Sequence, residues 1–339
     1  MLPVIFSPSG PALTEDERAF FAEADPAGYI LFGRNCVDAQ QLRRLTDDLR
    51  ALHGRDKLLV SIDQEGGRVA RLRAPNWTNY PAGEAFDRLY EIAPASAIEA
   101  ARVNAHALAL ELSAMGITVD YHPPLDVRQE GAHDVIGDRA LGRESQRVAA
   151  LGRAILDGLA RGGVAGCIKH MPGHGRSAVD THKELPTVTA SAEELETDIA
   201  PFAALNSAPI GMTGHLIFTE WDADNPATLS ETVIRDIIRG RIGFDGLLLT
   251  DDIDMQALDG PLPERGARAL AAGCDIVLNC WGKMDDMQGL AEACPAMSTQ
   301  TAERLERALA GTQVDAASGD RAELLAKRDS LLAIEGAAA

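Results

Sequence analysis

Eight short, nearly continuous apolar runs constrain the fold of this 339-residue chain more than any other feature. The runs lie at Pro3–Ser7, Tyr29–Gly33, Leu58–Asp63, Ile117–His122, Gly166–His170, Ile210–His215, Leu247–Asp251 and Asp275–Asn279. They do not alternate between polar and apolar residues, and continuous apolar runs are typical of parallel strands that are buried on both faces. We therefore predict eight parallel strands.

Stretches with helical periodicity separate these runs. After Asp38, leucines recur every three or four residues, which predicts an amphipathic helix. Ser96, with Glu99 three residues later, predicts the start of an alanine-rich helix. Strands that alternate with helices favour an α/β fold, here a single (β/α)8 barrel of the TIM type. An open nucleotide-binding sheet is disfavoured, because no G-x-G-x-x-G turn follows the first strand.

The predicted barrel accounts for most of the chain, since such barrels take about 250 residues. No repeat, charge block or Gly/Ser linker divides the sequence. We expect one catalytic domain over residues 1–339, and this prediction leaves room for irregular first strands. Helices predicted at Ala302–Ala310 and Arg321–Ile334 would pad the outside of the barrel, so we interpret residues 300–339 as C-terminal helical padding.

Composition narrows the class of protein. The 32 basic and 51 acidic residues give a net charge of −19, which opposes binding to nucleic acid or anionic lipid. The first residues do not resemble a secretory signal, and the apolar runs are far short of the ~20 residues that cross a bilayer. The five scattered cysteines favour reduced core residues over disulfides or zinc ligands. We expect a cytoplasmic, monomeric enzyme with a small-molecule substrate and no nucleic-acid or membrane partner.

Polar side chains follow six of the eight predicted strands. They are Arg34-Asn35 after the second, Asp63–Arg68 after the third, His122–Asp126 after the fourth, Lys169–Gly175 in the fifth, Thr213–His215 in the sixth and Thr250–Asp252 in the seventh. In a TIM barrel, residues at the carboxyl ends of the strands form the active site. This density of hydrogen-bonding groups suits a polar substrate with many hydroxyls.

The segment 169–186 holds an unusual number of histidines. His182 follows Asp180 by two residues, and a carboxylate beside an imidazole makes a proton carrier near neutral pH. The alternative is that His170, His174 and His182 only pack and form structural hydrogen bonds. A metal site that includes Asp251 is a further alternative, but H-E-x-x-H and H-x-H spacings are absent from the segment.

Asp251 ends an apolar strand, where an ionised carboxylate is costly unless cations or donors surround it. Lys169 and nearby arginines are candidates for that compensation. The alternative to a functional role is that the pair Asp251-Asp252 caps the turn that follows the strand. This alternative fits Asp252 better than Asp251.

Three arginines follow the third and fourth strands. Arg139 either binds carboxylates or sugar hydroxyls, or pairs with its neighbour Asp138 at the surface. Of Arg68 and Arg71, we expect one to face the site, and their spacing does not say which.

Together these motifs resemble family 3 glycoside hydrolases. The motifs are Asp63-Gln64-Glu65-Gly66-Gly67-Arg68-Val69-Ala70-Arg71, Lys169-His170-Met171-Pro172-Gly173-His174-Gly175, Asp180-Thr181-His182 and Thr250-Asp251-Asp252. They occur in the family's order over about Pro3 to Asn279. Within the family, the chain is similar to the compact cytoplasmic β-N-acetylglucosaminidases of peptidoglycan recycling. Met171 stands where the family usually has Phe, and the segment Tyr121–Pro124 is more polar than usual.

The resemblance implies a retaining mechanism without a metal or other cofactor. It implies that Asp251 is the nucleophile and that His182 is the acid/base, with Asp180 as its partner. It also implies that the sugar is held by five residues, namely Asp63, Arg71, Arg139, Lys169 and His170. The expected substrate is a peptidoglycan fragment with terminal N-acetylglucosamine linked to 1,6-anhydro-muramic acid.

Other functions stay open at this stage. A broader β-glucosidase would hydrolyse chromogenic glucosides as well as N-acetylglucosaminides. A metal-dependent barrel hydrolase would be sensitive to chelators, and a sugar-binding barrel would bind N-acetylglucosamine without turnover.

Overall fold

The computed structural model describes residues 1–129, 131, 136–177, 185–313 and 319–338. Within this part of the chain, eight parallel strands close into a barrel. The strands are β1 (Leu2–Phe6), β2 (Pro26–Leu31), β3 (Leu59–Ile62), β4 (Val119–Asp120), β5 (Ala165–Met171), β6 (Ile210–Thr213), β7 (Leu247–Asp252) and β8 (Ile276–Leu278). Neighbours in sequence are neighbours in the barrel, and β8 closes it by pairing with β1. The prediction of a TIM-type (β/α)8 barrel is confirmed.

Helices connect the strands and cover the outside of the barrel. They are α1 (Glu15–Ala24), α2 (Ala39–His53), α3 (Gly83–Ile92), α4 (Pro94–Ala114), α5 (Ser145–Arg161), α6 (Ala192–Ala204), α7 (Leu262–Ala272), α8 (Met284–Ala293), α9 (Thr299–Leu309) and α10 (Arg321–Ala338). A π-helix at Val233–Arg241 occupies the crossover between β6 and β7. Thr187–Val188 and Ile217–Phe218 form a small separate parallel sheet. No described helix has the length and apolar character that spanning a membrane requires.

The continuous apolar runs follow from burial on both faces of the strands. In β1, Ile5 belongs to the cluster that fills the barrel interior, whereas Val4 and Phe6 belong to the cluster under the helices. Every residue of β1 is buried as a result. The glycine in β2 shows how tightly neighbouring strands pack, since a Cβ at Gly28 would lie 2.4 Å from the carbonyl oxygen of Leu59.

Local signals set the helix ends. The Asp38 carboxylate accepts a hydrogen bond from the Gln41 N–H at 2.8 Å, and the predicted helix α2 follows it. The start predicted at Ser96 is wrong, because α4 already begins at Pro94. Proline is favoured in the first turn of a helix, where its missing N–H costs nothing, so Ser96 lies inside that turn.

The last two helices pack against different parts of the barrel. Arg304 of α9 pairs with Asp275 at 3.0 Å, next to the start of β8. Lys327 of α10 pairs with Glu99 of α4 at 2.5 Å. The C-terminal helices therefore lie against the barrel, whereas the assignment of the chain to one domain stays a prediction. The five cysteines are free, and four of them are buried.

We predict that Gly28→Ala lowers the free energy of unfolding by about 1–3 kcal/mol, because the added methyl group would push β2 away from the backbone of β3. Urea denaturation measures this difference. Gly10→Ala is the matched control, since a Cβ at Gly10 meets no atom within 4 Å. Equal stability of the two variants would contradict the packing argument.

Candidate active site

A pocket of about 1310 Å³ lies where the carboxyl ends of the barrel strands meet. Its lining includes all five residues that were expected to hold a sugar, namely Asp63, Arg71, Arg139, Lys169 and His170. Asp251, the candidate nucleophile, lines the same pocket. Asp180 and His182 lie outside the described residues. The barrel thus brings together side chains that are up to 188 positions apart in sequence, from Asp63 to Asp251.

Lys169 is the centre of the charged network in this pocket. Its Nζ lies 3.0 Å from Asp63 Oδ1 and 2.7 Å from Glu65 Oε1, and the residue is only 2% exposed. Burial alone would lower the pKa of the ammonium group, but the two carboxylates raise it above its ordinary value. Lys169 is therefore a buried cation in the lining of the pocket at neutral pH.

Glu65 connects Lys169 to Arg139. The Arg139 guanidinium donates two hydrogen bonds to this carboxylate, at 2.8 Å from Nε and 2.7 Å from Nη2. Burial would raise the pKa of Glu65, yet Arg139 and Lys169 hold it well below its ordinary value. Glu65 lies within the motif that follows β3, and the sequence alone predicts no role for it. Its position two residues after Asp63 is the signal that points to the site, because alternate residues of a chain leaving a strand in extended form face the same side.

The structure separates the roles of the three arginines. Arg71 Nη2 lies 3.0 Å from Asp63 Oδ2, and its guanidinium stacks 5.0 Å from the Phe32 ring centroid. Arg68 pairs at the rim with Asp138 at 2.7 Å, and its side chain is half exposed. Both arginines line the pocket, with Arg71 in the inner position. Because Asp138 pairs with Arg68, the alternative of a surface pair with Arg139 is wrong.

Asp126 orients the imidazole of His170. Asp126 Oδ2 lies 2.8 Å from His170 Nδ1, and Oδ1 accepts the backbone N–H of His174 at 2.7 Å. Burial acts to raise the pKa of Asp126, but its two histidine partners lower it below the ordinary value. An ionised carboxylate only accepts hydrogen bonds, so Nδ1 donates and Nε2 of His170 stays available to the pocket.

His174 packs behind His170 and does not line the pocket. The two rings meet edge to face with 5.6 Å between centroids. Burial lowers the pKa of His174 to about 4, so its ring is neutral near pH 7. These contacts favour the structural interpretation of His174.

Asp251 is partly buried at the end of β7, and its Oδ1 accepts the backbone N–H of Asp252 at 2.8 Å. Burial acts to raise its pKa, but His170, His215, this hydrogen bond and Lys169 together lower it below the ordinary value. Asp251 is therefore an ionised carboxylate at neutral pH, in contact with the pocket.

Asp252 also lines the pocket and behaves differently. Its Oδ1 accepts the backbone N–H groups of Asp254 and Cys280, both at 3.3 Å. Burial raises its pKa to about 6, and the neighbouring charge of Asp251 acts in the same direction. The capping interpretation of Asp252 is confirmed, because its Oδ1 accepts the Asp254 N–H in the turn that follows β7.

The rim of the pocket contains residues that sequence reasoning did not select. Trp281 follows β8 and is 56% exposed, while Lys283 pairs with Asp254 at 3.2 Å. Among the described residues, no three His, Cys, Asp or Glu side chains converge in a way that could hold a metal ion. The metal alternative also requires His182, which lies outside that part of the chain.

The fold and this site define a TIM-barrel enzyme whose pocket combines an ionised carboxylate, an oriented imidazole and a frame of cations. Residues 5–310 match the family model described as the glycosyl hydrolase family 3 N-terminal domain. The chain belongs to glycosyl hydrolase family 3, and it is a glycoside hydrolase.

Named and solved relatives agree with this membership. A protein named β-hexosaminidase from Chromobacterium violaceum is 40% identical over 310 residues, which are 90% of this chain and 86% of that protein. NagZ from Neisseria gonorrhoeae, solved in complex with N-trifluoroacetyl-D-glucosamine, is 32% identical with a TM-score of 0.85, covering 98% of this chain and 97% of that one. A family 3 β-N-acetylglucosaminidase from Paenibacillus sp. is 30% identical with a TM-score of 0.86, covering 97% of this chain and 67% of that one.

We predict that Glu65→Gln lowers the free energy of unfolding by about 3–5 kcal/mol at pH 7, because Arg139 and Lys169 would lose their shared anion. The pKa of Glu65 is lowered in the folded state, so its contribution is fully present above the unfolded pKa of about 4.3, declines below it, and is lost as the pH falls through the lower folded pKa. The difference between the variant and the natural protein should shrink in acid.

Urea denaturation of both proteins at pH 7 and at pH 3.5 (roughly one unit below the unfolded pKa) tests this. Glu231→Gln is the control, because Glu231 forms an exposed ion pair with Arg235 and should contribute little at either pH. A Glu65 effect that did not depend on pH would argue against the charge network.

Proposed function

We propose that this chain is a retaining exo-β-N-acetylglucosaminidase. It would release terminal, non-reducing β-linked N-acetylglucosamine from peptidoglycan fragments in which that sugar is linked to 1,6-anhydro-N-acetylmuramic acid, with or without a peptide. The observation that carries the proposal is the ionised carboxylate of Asp251 at the carboxyl end of β7, facing a pocket framed by Lys169 and His170. The names and the bound sugar analogue of the relatives support the choice of sugar.

The chemistry takes two steps. Asp251 attacks C1 of the sugar and forms a covalent glycosyl-enzyme, while the bond to the leaving oxygen breaks and that oxygen takes a proton from His182. Water then attacks C1, gives its proton to His182, and releases Asp251 as a carboxylate. Asp180 is the proposed partner that orients His182. Both residues of this pair lie outside the described part of the chain.

The charge balance of the pocket explains why an imidazole suits this reaction. Asp63 and Asp251 both have lowered pKa values: burial acts against this shift in each, and nearby cations and imidazoles outweigh it. A second carboxylic acid beside Asp251 would meet this negative charge, which raises the cost of ionising either group. A histidine carries the proton near neutral pH without adding an anion.

The remaining side chains hold the sugar. Asp63 accepts hydrogen bonds from hydroxyl groups, whereas Lys169, Arg71 and Arg139 donate to them. His170, with Nδ1 committed to Asp126, presents Nε2 to the ligand. The proposal needs no metal or other cofactor, and the five binding residues keep C1 of the sugar within reach of Asp251.

The cellular part of the proposal follows from the substrate. Anhydro-muramyl fragments arise when the cell wall is broken down, so their hydrolysis belongs to peptidoglycan recycling and, through it, to cell-wall synthesis, cell shape and division. We place the protein in the cytoplasm as a monomer, without a nucleic-acid or membrane partner. The net charge of −19 supports the last point.

We predict that Asp251→Asn lowers kcat for a chromogenic N-acetylglucosaminide to below about one thousandth, because an amide does not attack C1. The variant should fold normally and still bind N-acetylglucosamine. Asp236→Asn, at an exposed carboxylate paired with Arg235, is the control and should keep full activity.

The nucleophile can also be located directly. A slow fluorinated N-acetylglucosaminide should trap the glycosyl-enzyme, and peptide mass spectrometry should find the label on Asp251. Near-normal turnover by Asp251→Asn, or a label on another residue, would refute the assignment.

We predict that His182→Ala slows substrates with poor leaving groups by at least about tenfold more than activated aryl glycosides, because only poor leaving groups need the proton. Steady-state kinetics with a β-linked disaccharide and a dinitrophenyl glycoside measure the ratio. Equal slowing of both substrates would count against an acid role for His182.

A further inference from the structure

His215 is a fully buried histidine that the proposed mechanism does not use. It lies two residues after the end of β6 and does not line the pocket, yet its ring reaches the strand that carries Asp251. His215 Nε2 lies 2.9 Å from the carbonyl oxygen of Asp252, the residue next to Asp251. Both ring nitrogens of this buried imidazole have hydrogen-bond partners within the protein.

The hydrogen bonds determine which way each proton points. A carbonyl oxygen only accepts, so Nε2 of His215 carries the hydrogen and donates it to Asp252. Burial lowers the pKa of His215, which favours the neutral ring and leaves Nδ1 as an acceptor. Thr228 Oγ1 lies 2.8 Å from Nδ1 and supplies that hydrogen bond. The carbonyl of Gly214, at 3.2 Å, is a longer and weaker alternative for the same hydroxyl.

A second threonine completes the chain of hydrogen bonds. Thr213 Oγ1 lies 2.8 Å from Thr228 Oγ1. Because the single hydroxyl hydrogen of Thr228 goes to His215, Thr213 donates in this contact. Thr213, Thr228 and His215 are all fully buried, so water does not compete for these bonds. These hydrogen bonds all point in one direction, from the Thr213 hydroxyl to the Asp252 carbonyl. They fix both the tautomer and the orientation of the His215 ring.

The Asp252 carbonyl belongs to an irregular part of the barrel. The backbone ladder between β6 and β7 is regular from Ile210–Leu247 to Met212–Leu249. On the other side, Leu249 pairs with Ile276 and Asp252 with Leu278, so β7 has one extra residue between these pairs. Bulges of this kind bend a strand and re-aim a side chain, and Asp251 lies within this one.

Side chains reinforce the bulge beside its backbone hydrogen bonds, in one of which the Met255 N–H donates to the Asp252 carbonyl at 3.2 Å. Thr250 Oγ1 accepts the Leu278 N–H at 2.9 Å on the β8 side. His215 donates to the Asp252 carbonyl on the β6 side. The bulge is therefore held from both neighbouring strands, on either side of Asp251.

The same segment also contacts the strand that carries His170. The Gly214 N–H donates to the Met171 carbonyl at 2.8 Å. A Cβ at Gly214 would lie 3.3 Å from Cβ of His170. The segment 213–215 thus fixes the spacing between β5, with its imidazole, and β7, with its carboxylate.

We propose that His215 is a positioning residue for glycoside cleavage: its Nε2–H holds the Asp252 carbonyl and, with it, the bulge from which the Asp251 carboxylate reaches C1 of the sugar. Thr228 and Thr213 hold the ring in the donating orientation. The inference rests on the proposed role of Asp251 as the nucleophile.

His215→Ala and His215→Gln test the inference with the full-length protein. Without the donor, we expect kcat and the rate of trapping by the fluorinated sugar to fall about 100-fold, a loss that a 1 Å misplacement can cause, while KM changes less than about threefold. Glutamine offers an amide N–H to Asp252 and an oxygen to Thr228, so His215→Gln should recover at least about tenfold of the lost kcat.

Two threonine variants separate positioning from loss of stability. Thr228→Val keeps the shape but removes the hydroxyl that holds Nδ1, and it should lower kcat about tenfold, as expected for a looser ring. Thr46→Val is the matched control, because Thr46 is also fully buried and donates to the Met115 carbonyl at 2.8 Å on the outer helix α2. It should lower the melting temperature without changing kcat.

Two outcomes would overturn the inference. In the first, the His215→Ala variant folds and has the same kcat as the natural protein. In the second, the His215→Gln variant is as slow as the His215→Ala variant, which would show that loss of the donated hydrogen bond does not cause the loss of kcat. If the natural protein is trapped at Asp251 and the His215 variants are trapped equally fast, only the positioning role fails. If the natural protein is not labelled at Asp251, the proposed function itself fails.

Discussion

The burial of the Lys169 ammonium between two carboxylates is the constraint on which the pocket depends. A buried charge is costly unless oppositely charged groups and hydrogen bonds surround it, and here Asp63 and Glu65 lie within 3.0 and 2.7 Å. The two strands that carry these groups are separated by β4 in the barrel. Closing the barrel brings them across its mouth, so the fold and the charge network stabilise each other.

This network also determines the charge state of the other groups in the pocket. Glu65 is shared by Lys169 and Arg139, which keeps both cations in place without a ligand. Asp251 lies outside these ion pairs, yet the surrounding imidazoles and Lys169 keep its pKa low in spite of burial. Among the residues that the structure describes, this ionised carboxylate forms no ion pair, which suits the proposed attack on a sugar carbon. The ion pairs within the protein orient Lys169, Asp63 and Arg139, and the proposed chemistry uses Asp251.

Most of the fold could be predicted because its signals are local. Continuous apolar runs mark strands that are buried on both faces, and all eight appear within a few residues of their predicted bounds. The cap at Asp38 depends on one side chain and its neighbour, so it too could be read directly. The prediction failed at Ser96, where a proline two residues earlier begins the helix.

The sequence alone determined the strand count, the barrel and the set of polar side chains at the strand ends, since each depends on short-range periodicity and on the parallel direction of the strands. The family resemblance added expected roles for those side chains. Only the tertiary structure decided which charges pair: Arg139 binds Glu65 rather than Asp138, and Arg71 takes the inner position that Arg68 could have held. It also revealed the contact from His215 to the strand of Asp251. Such pairings depend on distances between strands far apart in sequence, and barrel closure alone sets those distances.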